Sequence, residues 1–251
     1  MKAKKSLGQN FLSDSRYVQQ ILNLVPKEQS GKLIEIGPGT GVLTPWLYQI
    51  NSNFEGYEID DRAIQILNRD FPTIPVFQKD FLKTDLESIA GDEKLTVVGN
   101  IPYYITSPIL FHLFDQQQLM QTAVIMMQKE VAERIVAEPR TKAYGILSVQ
   151  AQIFASVTKA FDVPRSAFMP RPNVDSSVLV FEFDKDVSGL DIQLFKSVVR
   201  TAFNQRRKMM RNSLKPLLGD HELPEKLGMR RPESLTPQEF VELTEFFGEL
   251  E

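Results

Sequence analysis

The sequence predicts an α/β fold, a mostly parallel sheet with helices on both faces, followed by a small all-helical domain. Three observations carry that prediction. Apolar, β-rich runs alternate with helical patterns through the first two-thirds of the chain, a glycine turn joins the first of these runs to the first of these helices, and strand signals stop near Asp184. Short buried strands separated by helices mark a parallel sheet, whose connections must cross over its faces.

The strand-like runs are Lys32–Ile36, Phe54–Ile59, Pro75–Gln78, Leu95–Val98 and Ala123–Met127. Helical patterns lie between them at Leu43–Ile50, Arg62–Arg69, Ser107–Phe114 and Lys129–Ala137. Pro108 sits in the first turn of the third helix, where its missing N–H is tolerated. Ala143–Phe154 reads as a further helix. Ser156–Asp162 and Ser177–Phe183, the second alternating and rich in Val and Phe, read as an antiparallel pair closing the sheet. Beyond them Asp191–Phe203, Met209–Leu217 and Thr236–Phe247 are helical, separated by Gly and Pro. The expected domains are therefore 1–184 and 185–251. Neither an internal repeat nor a low-complexity tract interrupts this plan.

Composition narrows the function classes. The chain has 251 residues, 42% hydrophobic and 24% charged, ordinary values for a globular protein with a sizeable core. Its apolar runs fall well short of the roughly 20 residues of a membrane span. The basic stretch from Met1 to Lys5 precedes no apolar segment, so no secretory signal is expected and the cytoplasm is the expected location. Cys is absent and there are only 2 His, which excludes disulfides and cysteine-ligated metal and leaves no expectation of a metal. A net charge of −3 does not mark a nucleic-acid binder, but the distribution is uneven. Lys2, Lys4 and Lys5 cluster at one end, and Arg206, Arg207, Lys208 and Arg211 cluster in 204-NQRRKMMRNSLK-215. Solvated helix faces are the plain reading of both clusters.

The segment 33-LIEIGPGTGVLT-44 is a strand, a glycine-rich turn and a helix start. Gly37, Gly39 and Gly41 let the backbone turn tightly and approach a ligand without a Cβ in the way. Alone, such a run is equally a tight turn with no ligand. Two acids sharpen it. Glu58 ends the next strand, about 20 residues on, where a carboxylate can accept both hydroxyls of a ribose. Asp80 follows the third strand in 75-PVFQKDF-81, where it can accept from the exocyclic amine of an adenine. The chain lacks the Gly-Lys-Ser/Thr of a phosphate-cradling loop, and its glycine spacing departs from G-x-G-x-x-G. S-adenosylmethionine fits what remains: a ribose and an adenine, no phosphate, and a cationic sulfonium suited to acidic surroundings.

The fourth strand ends in 99-GNIPYYITSPIL-110. Ligands of open α/β sheets lie beyond the carboxyl ends of the strands, so this tip faces the same crevice as the glycine loop. The Asn100 side-chain oxygen and the carbonyl beside Pro102 can both accept from an adenine N6 amine and direct its lone pair. Tyr103 offers a flat face for stacking, typically about 1–3 kcal/mol per base. A β-turn using turn-favoured Asn and Pro is the competing account.

The ordered set 6-SLGQNFL-12, 34-IEIGPGTGVLT-44, 57-YEID-60, 99-GNIPYYITSPIL-110, 128-QKEVAERI-135, 168-FMPRPNVDSSV-178 and 202-AFNQRRKMMRNSL-214 closely resembles that of the ribosomal RNA adenine N6,N6-dimethyltransferases of the KsgA type. The resemblance runs over almost the full chain. It implies a class I S-adenosylmethionine-dependent methyltransferase with a seven-stranded sheet and a small helical domain. It implies that Asn10 and Leu12 fold over the cofactor, that Gly37 and Gly39 line it, and that Glu58 holds the ribose and Asp80 the adenine. Asn100 would belong to the catalytic N-x-P-Y motif, Tyr103 would stack on the target base, and Phe168 would cover its other face. The implied substrate is two adjacent adenosines in a hairpin near the 3′ end of small-subunit rRNA, in an immature 30S-type particle; a monomer is expected, since neither a heptad pattern nor an exposed apolar strand marks an obligate oligomer. Arg206, Arg207, Lys208 and Arg211 would then contact phosphates. Tyr104 stands where many relatives have Asn.

Two alternatives share parts of this pattern. An Erm-type methyltransferase acting on large-subunit rRNA shares the N-I-P-Y loop, and a non-catalytic ribosome-assembly factor would keep the RNA-binding surface without the chemistry. An N6-adenine DNA methyltransferase is disfavoured, because the helical appendage leaves no room for a target-recognition domain.

Overall fold

The computed structural model describes residues 8–250; Lys2, Lys4 and Lys5 lie outside the described residues. In chain order the first elements are β1 (Phe11–Leu12), α1 (Ser15–Asn23), β2 (Leu33–Ile36), α2 (Thr44–Ile50), β3 (Phe54–Glu58), α3 (Asp61–Asp70), β4 (Val76–Gln78), α4 (Leu86–Ala90), β5 (Leu95–Asn100), α5 (Thr106–Asp115) and β6 (Met120–Gln128). Then follow α6 (Lys129–Ile135), α7 (Ile146–Phe154), β7 (Ser156–Val163), β8 (Phe168–Met169) and β9 (Ser176–Glu182). The last five are α8 (Ile192–Asn204), α9 (Met210–Ser213), α10 (Lys215–Leu218), α11 (Glu225–Gly228) and α12 (Pro237–Gly248).

Seven strands form one sheet in the order β4-β3-β2-β5-β6-β9-β7. The pairs β3–β4, β2–β3, β2–β5 and β5–β6 are parallel, and β9 runs antiparallel to β6. The alternating strand and helix pattern is thus realised, and the two late strands close the sheet as neighbours. All four β2 residues and the first five of β5 are buried, as strands covered on both faces must be. The chain builds outward from β2 to β4, then returns to lay β5 against the other side of β2. That reversal opens a crevice between the carboxyl ends of β2 and β5, at Gly37 and Asn100.

α1 is legible in hindsight. Asp14 caps it by accepting from the Arg16 N–H at 3.0 Å, and Val18, Ile21 and Leu22 bury one stripe. The helix expected over Met209–Leu217 is instead two short ones. Pro216 has no N–H for a continuous ladder and its ring conflicts with the preceding turn, so the chain breaks at Leu214.

The chain packs as two compact units: residues up to Ala132 with Thr158–Phe183, and Glu133–Val157 with Asp184 onward. Sequence patterning placed one boundary, after residue 184, and assigned 133–157 to the first domain. Those residues pair with the later helices through aromatic side chains: Tyr144 meets Phe203 edge to face and Phe154 meets Phe195 likewise. A helical segment between strands gives no sign in its own sequence of which distant helices it will meet.

Gly41, in the turn after β2, has φ +83, and a Cβ there would lie 2.5 Å from the Phe71 ring. Gly41→Ala is expected to destabilise the first unit by roughly 1–3 kcal/mol, read as a lowered midpoint in urea denaturation.

Candidate active site

A cavity of about 300 Å³ opens at the β2/β5 crevice. Eight of the residues singled out from sequence line it: Asn10, Leu12, Gly37, Gly39, Glu58, Asp80, Asn100 and Tyr103. They come from four separate strand ends and the N-terminal segment, which β1 holds by antiparallel pairing of Phe11 with Met169 and Leu12 with Phe168.

The glycine loop leaves β2 with the Gly37 N–H donating to the Tyr57 carbonyl at 2.9 Å. Gly37 has φ +67, and a Cβ at that position would meet nothing within 4 Å, so the loop backbone borders open cavity there. Glu58 secures the loop. Its Oε2 accepts from the Gly39 N–H at 2.9 Å, while Oε1 accepts from the N–H groups of Ile59 and Asp60 at 2.8 and 2.9 Å. A carboxylate offers about four acceptor positions, so three backbone amides leave one for a ligand hydroxyl. Asp80 is exposed; Oδ1 caps the following turn by accepting from Leu82 N–H at 3.1 Å, while Oδ2 lies 4.0 Å from Lys83 Nζ.

At the β5 tip, Asn100 Nδ2 donates to the Asn10 carbonyl at 3.3 Å. That bond orients the amide, directing its nitrogen to the N-terminal segment and leaving its oxygen as the acceptor. Tyr103 shares a hydrogen bond with the Ser176 hydroxyl at 2.9 Å, which fixes the ring while its hydroxyl is occupied. Burial raises the phenol above its usual pKa, so it stays protonated near neutrality. Tyr104 is 55% exposed at the cavity rim.

Two predicted residues sit differently. Phe168 is 4% exposed, packed in the core beside Leu12, and does not line the cavity. Its pairing in a two-residue ribbon turns it into the first unit's interior. Arg206, predicted to contact phosphate, is held along the surface against the loop before α7: Nη1 donates to the Lys142 carbonyl at 3.0 Å and Nη2 to the Thr141 carbonyl at 3.1 Å, with its side chain 38% exposed. Arg207, Lys208 and Arg211 are exposed.

Four residues in and around the site escaped the sequence reading: Gln9, Arg62, Ser176 and Glu35. Gln9 Nε2 donates to Asp60 Oδ2 at 2.8 Å, tying the N-terminal segment to the end of β3. Arg62, bonded to the same carboxylate, holds the Asp60 pKa down to about 2. Ser176 supports Tyr103 from β9. Glu35, a charged residue within an otherwise apolar strand, lines the cavity yet is 2% exposed; burial pushes its carboxyl up to about 8, the Thr44 hydroxyl donates to it at 2.6 Å, and Glu58 adds repulsion. The oddity of an acid in Leu-Ile-Glu-Ile was the available signal.

These residues fit S-adenosylmethionine. The open backbone at Gly37, the acceptor left on Glu58 and the exposed carboxylate of Asp80 suit a ribose, an adenine amine and a sulfonium cation. Fold and site together define a class I S-adenosylmethionine-dependent methyltransferase. The chain belongs to the ribosomal RNA adenine dimethylase family, whose model matches residues 1–241. It is 45% identical over 247 residues to the ribosomal RNA small subunit methyltransferase A of Salinibacter ruber, covering 96% of this chain and 83% of that protein. It is 43% identical over 240 residues to the protein of the same name in Chlorobium limicola, covering 96% and 91%. Among solved structures, a dimethyladenosine transferase from Plasmodium falciparum superposes with a TM-score of 0.83 at 24% identity, over 95% of this chain and 98% of that one. The 23S rRNA methyltransferase ErmE gives 0.70 at 25% identity, over 95% and 100%.

The raised Glu35 pKa has a definite consequence. The folded protein holds a proton that the unfolded chain releases near 4.5, so stability is lost as pH rises from there through about 8. Glu35→Gln is expected to flatten that decline and to melt higher than wild type at pH 8, measured by thermal denaturation across pH 5–8.5.

Proposed function

We propose that this protein transfers methyl groups from S-adenosylmethionine to N6 of two adjacent adenosines in a hairpin near the 3′ end of small-subunit rRNA, giving N6,N6-dimethyladenosine. One observation carries the reading. Asn100, held by the Asn10 carbonyl, presents an amide oxygen beside the ring of Tyr103 in a cavity that also holds Glu58 and Asp80. An adenine N6 amine is a weak nucleophile because its lone pair is delocalised into the ring. The Asn100 oxygen accepts from that amine, favours a tetrahedral nitrogen, and stabilises the positive charge that develops on it without a strong base. Tyr103 stacks on the base, which must leave its helix to reach the site. S-adenosylmethionine, when bound, supplies an electrophilic methyl on a sulfonium whose departing sulfur takes the bonding electrons. Each transfer ends with loss of an N6 proton to water.

Glu58, Asp80 and the Gly37–Gly39 backbone hold the cofactor in this reading, with Asn10 and Leu12 over it. Arg207, Lys208 and Arg211 contact RNA phosphates. The names of the relatives at 43% and 45% identity support the small subunit over the large one as substrate. A role in small-subunit biogenesis, action as a monomer on an immature 30S-type particle, and a cytoplasmic location belong to the same reading. No helix among the described residues is long and apolar enough to cross a membrane.

Purified protein, methyl-labelled cofactor and unmodified small subunits are expected to yield labelled N6,N6-dimethyladenosine on nucleoside analysis, and unmodified large subunits none. Asn100→Ala is expected to lower the transfer rate by roughly 10²–10³-fold while still binding subunits. Absence of label from every RNA with wild-type protein would leave a binding factor, and label in the large subunit alone would favour the Erm-type alternative.

A further inference from the structure

Arg206 is bonded to the loop before α7 through its guanidinium, unlike the exposed Arg207, Lys208 and Arg211. Its guanidinium donates to the carbonyls of Thr141 and Lys142, and Nε lies 3.4 Å from a Glu233 carboxylate oxygen. The Arg140 N–H donates to the Glu233 carbonyl at 2.6 Å. The Thr141 hydroxyl donates to the Glu138 carbonyl at 2.7 Å. The loop between α6 and α7 is thus gripped by two segments distant in sequence. Arg140 has φ 70, a left-handed conformation that a residue with a Cβ holds only where its surroundings determine it. This grip engages the loop backbone and leaves the side chains of Arg140 and Lys142 exposed. Neither makes an ion pair with a described residue.

We propose that the loop from Glu138 to Ala143 is a phosphate-contacting element for RNA, with Arg140 and Lys142 as its contacts and Arg206 as the positioning residue that presents them. The proposal rests on the rRNA reading above. A rigid loop loses little conformational freedom when it binds, and Arg can hold a phosphate through two parallel hydrogen bonds. Each phosphate that a side chain neutralises releases condensed counterions, so the contacts register as a steep dependence of affinity on salt.

Binding of an unmodified small-subunit rRNA transcript is measured against salt concentration for four variants beside wild type: Arg140→Gly/Lys142→Ala, Arg206→Lys, Arg206→Ala and the combination of the first with Arg206→Lys. Glycine adopts φ 70 without strain, so the first variant removes two charges and keeps the loop. Its affinity is expected to fall several-fold, with a log–log salt slope shallower by about 1.5–2. Arg206→Lys keeps the charge but not the fork, and is expected to lose as much affinity as Arg206→Ala and to add little in the combined variant. The Arg140→Gly/Lys142→Ala protein carries the test alone if the Arg206 variants do not fold. A wild-type slope for that protein, or a wild-type affinity for Arg206→Lys, overturns the proposal and leaves the rRNA reading standing. Wild-type protein that neither binds nor methylates the transcript overturns both.

Discussion

The Glu58 carboxylate is the bond on which the site depends. It lies at the end of β3 and accepts from Gly39 in the turn after β2, so one side chain locks two neighbouring strand ends into a fixed relation. Its other oxygen accepts from Ile59 and Asp60, which sets the start of α3. A buried carboxylate with three amide donors is well satisfied, and losing any one of them would leave charge uncompensated at low dielectric. This clasp fixes the glycine loop where it borders open cavity.

The opposite wall is built by a second set of bonds with the same logic. Asn100 and Tyr103 each make one hydrogen bond to a segment remote in sequence, Asn100 to the Asn10 carbonyl and Tyr103 to Ser176. Each bond occupies one polar group and leaves another part of the side chain available, the amide oxygen of Asn100 and the ring face of Tyr103. Gln9 and Asp60 fasten the N-terminal segment that supplies the Asn10 carbonyl, so the orientation of the Asn100 amide depends on a bond at the end of β3. In the proposed reaction, preorganisation of this kind would lower the reorganisation needed as charge develops.

Much of this was legible beforehand. The five central strands, the glycine turn, the two acids and the N-I-P-Y tip are local signals: hydrophobic period, turn chemistry and a residue type at the end of a strand. They fail where the deciding contact is distant. The resemblance sets Phe168 over the target base, yet its strand, paired with Phe11–Leu12, buries its side chain in the core. Arg206 reads as one of four equivalent cations, yet carbonyls more than sixty positions away engage its guanidinium. Glu133–Val157 looks like part of the first domain, yet Tyr144 and Phe154 pack with Phe203 and Phe195.

The order of residues by itself determined the parallel sheet, the crevice at its switch point and the chemical character of the groups at each strand end, because these follow from periodicity and backbone geometry within a few residues. Only the tertiary structure decided which atom of each group is free. Asn100 could have offered nitrogen or oxygen, Glu58 two acceptor atoms or one position, Arg206 its charge or its geometry. A polar side chain has more hydrogen-bonding positions than any single role uses, and which of them are occupied is settled by distant backbone brought alongside in the folded chain.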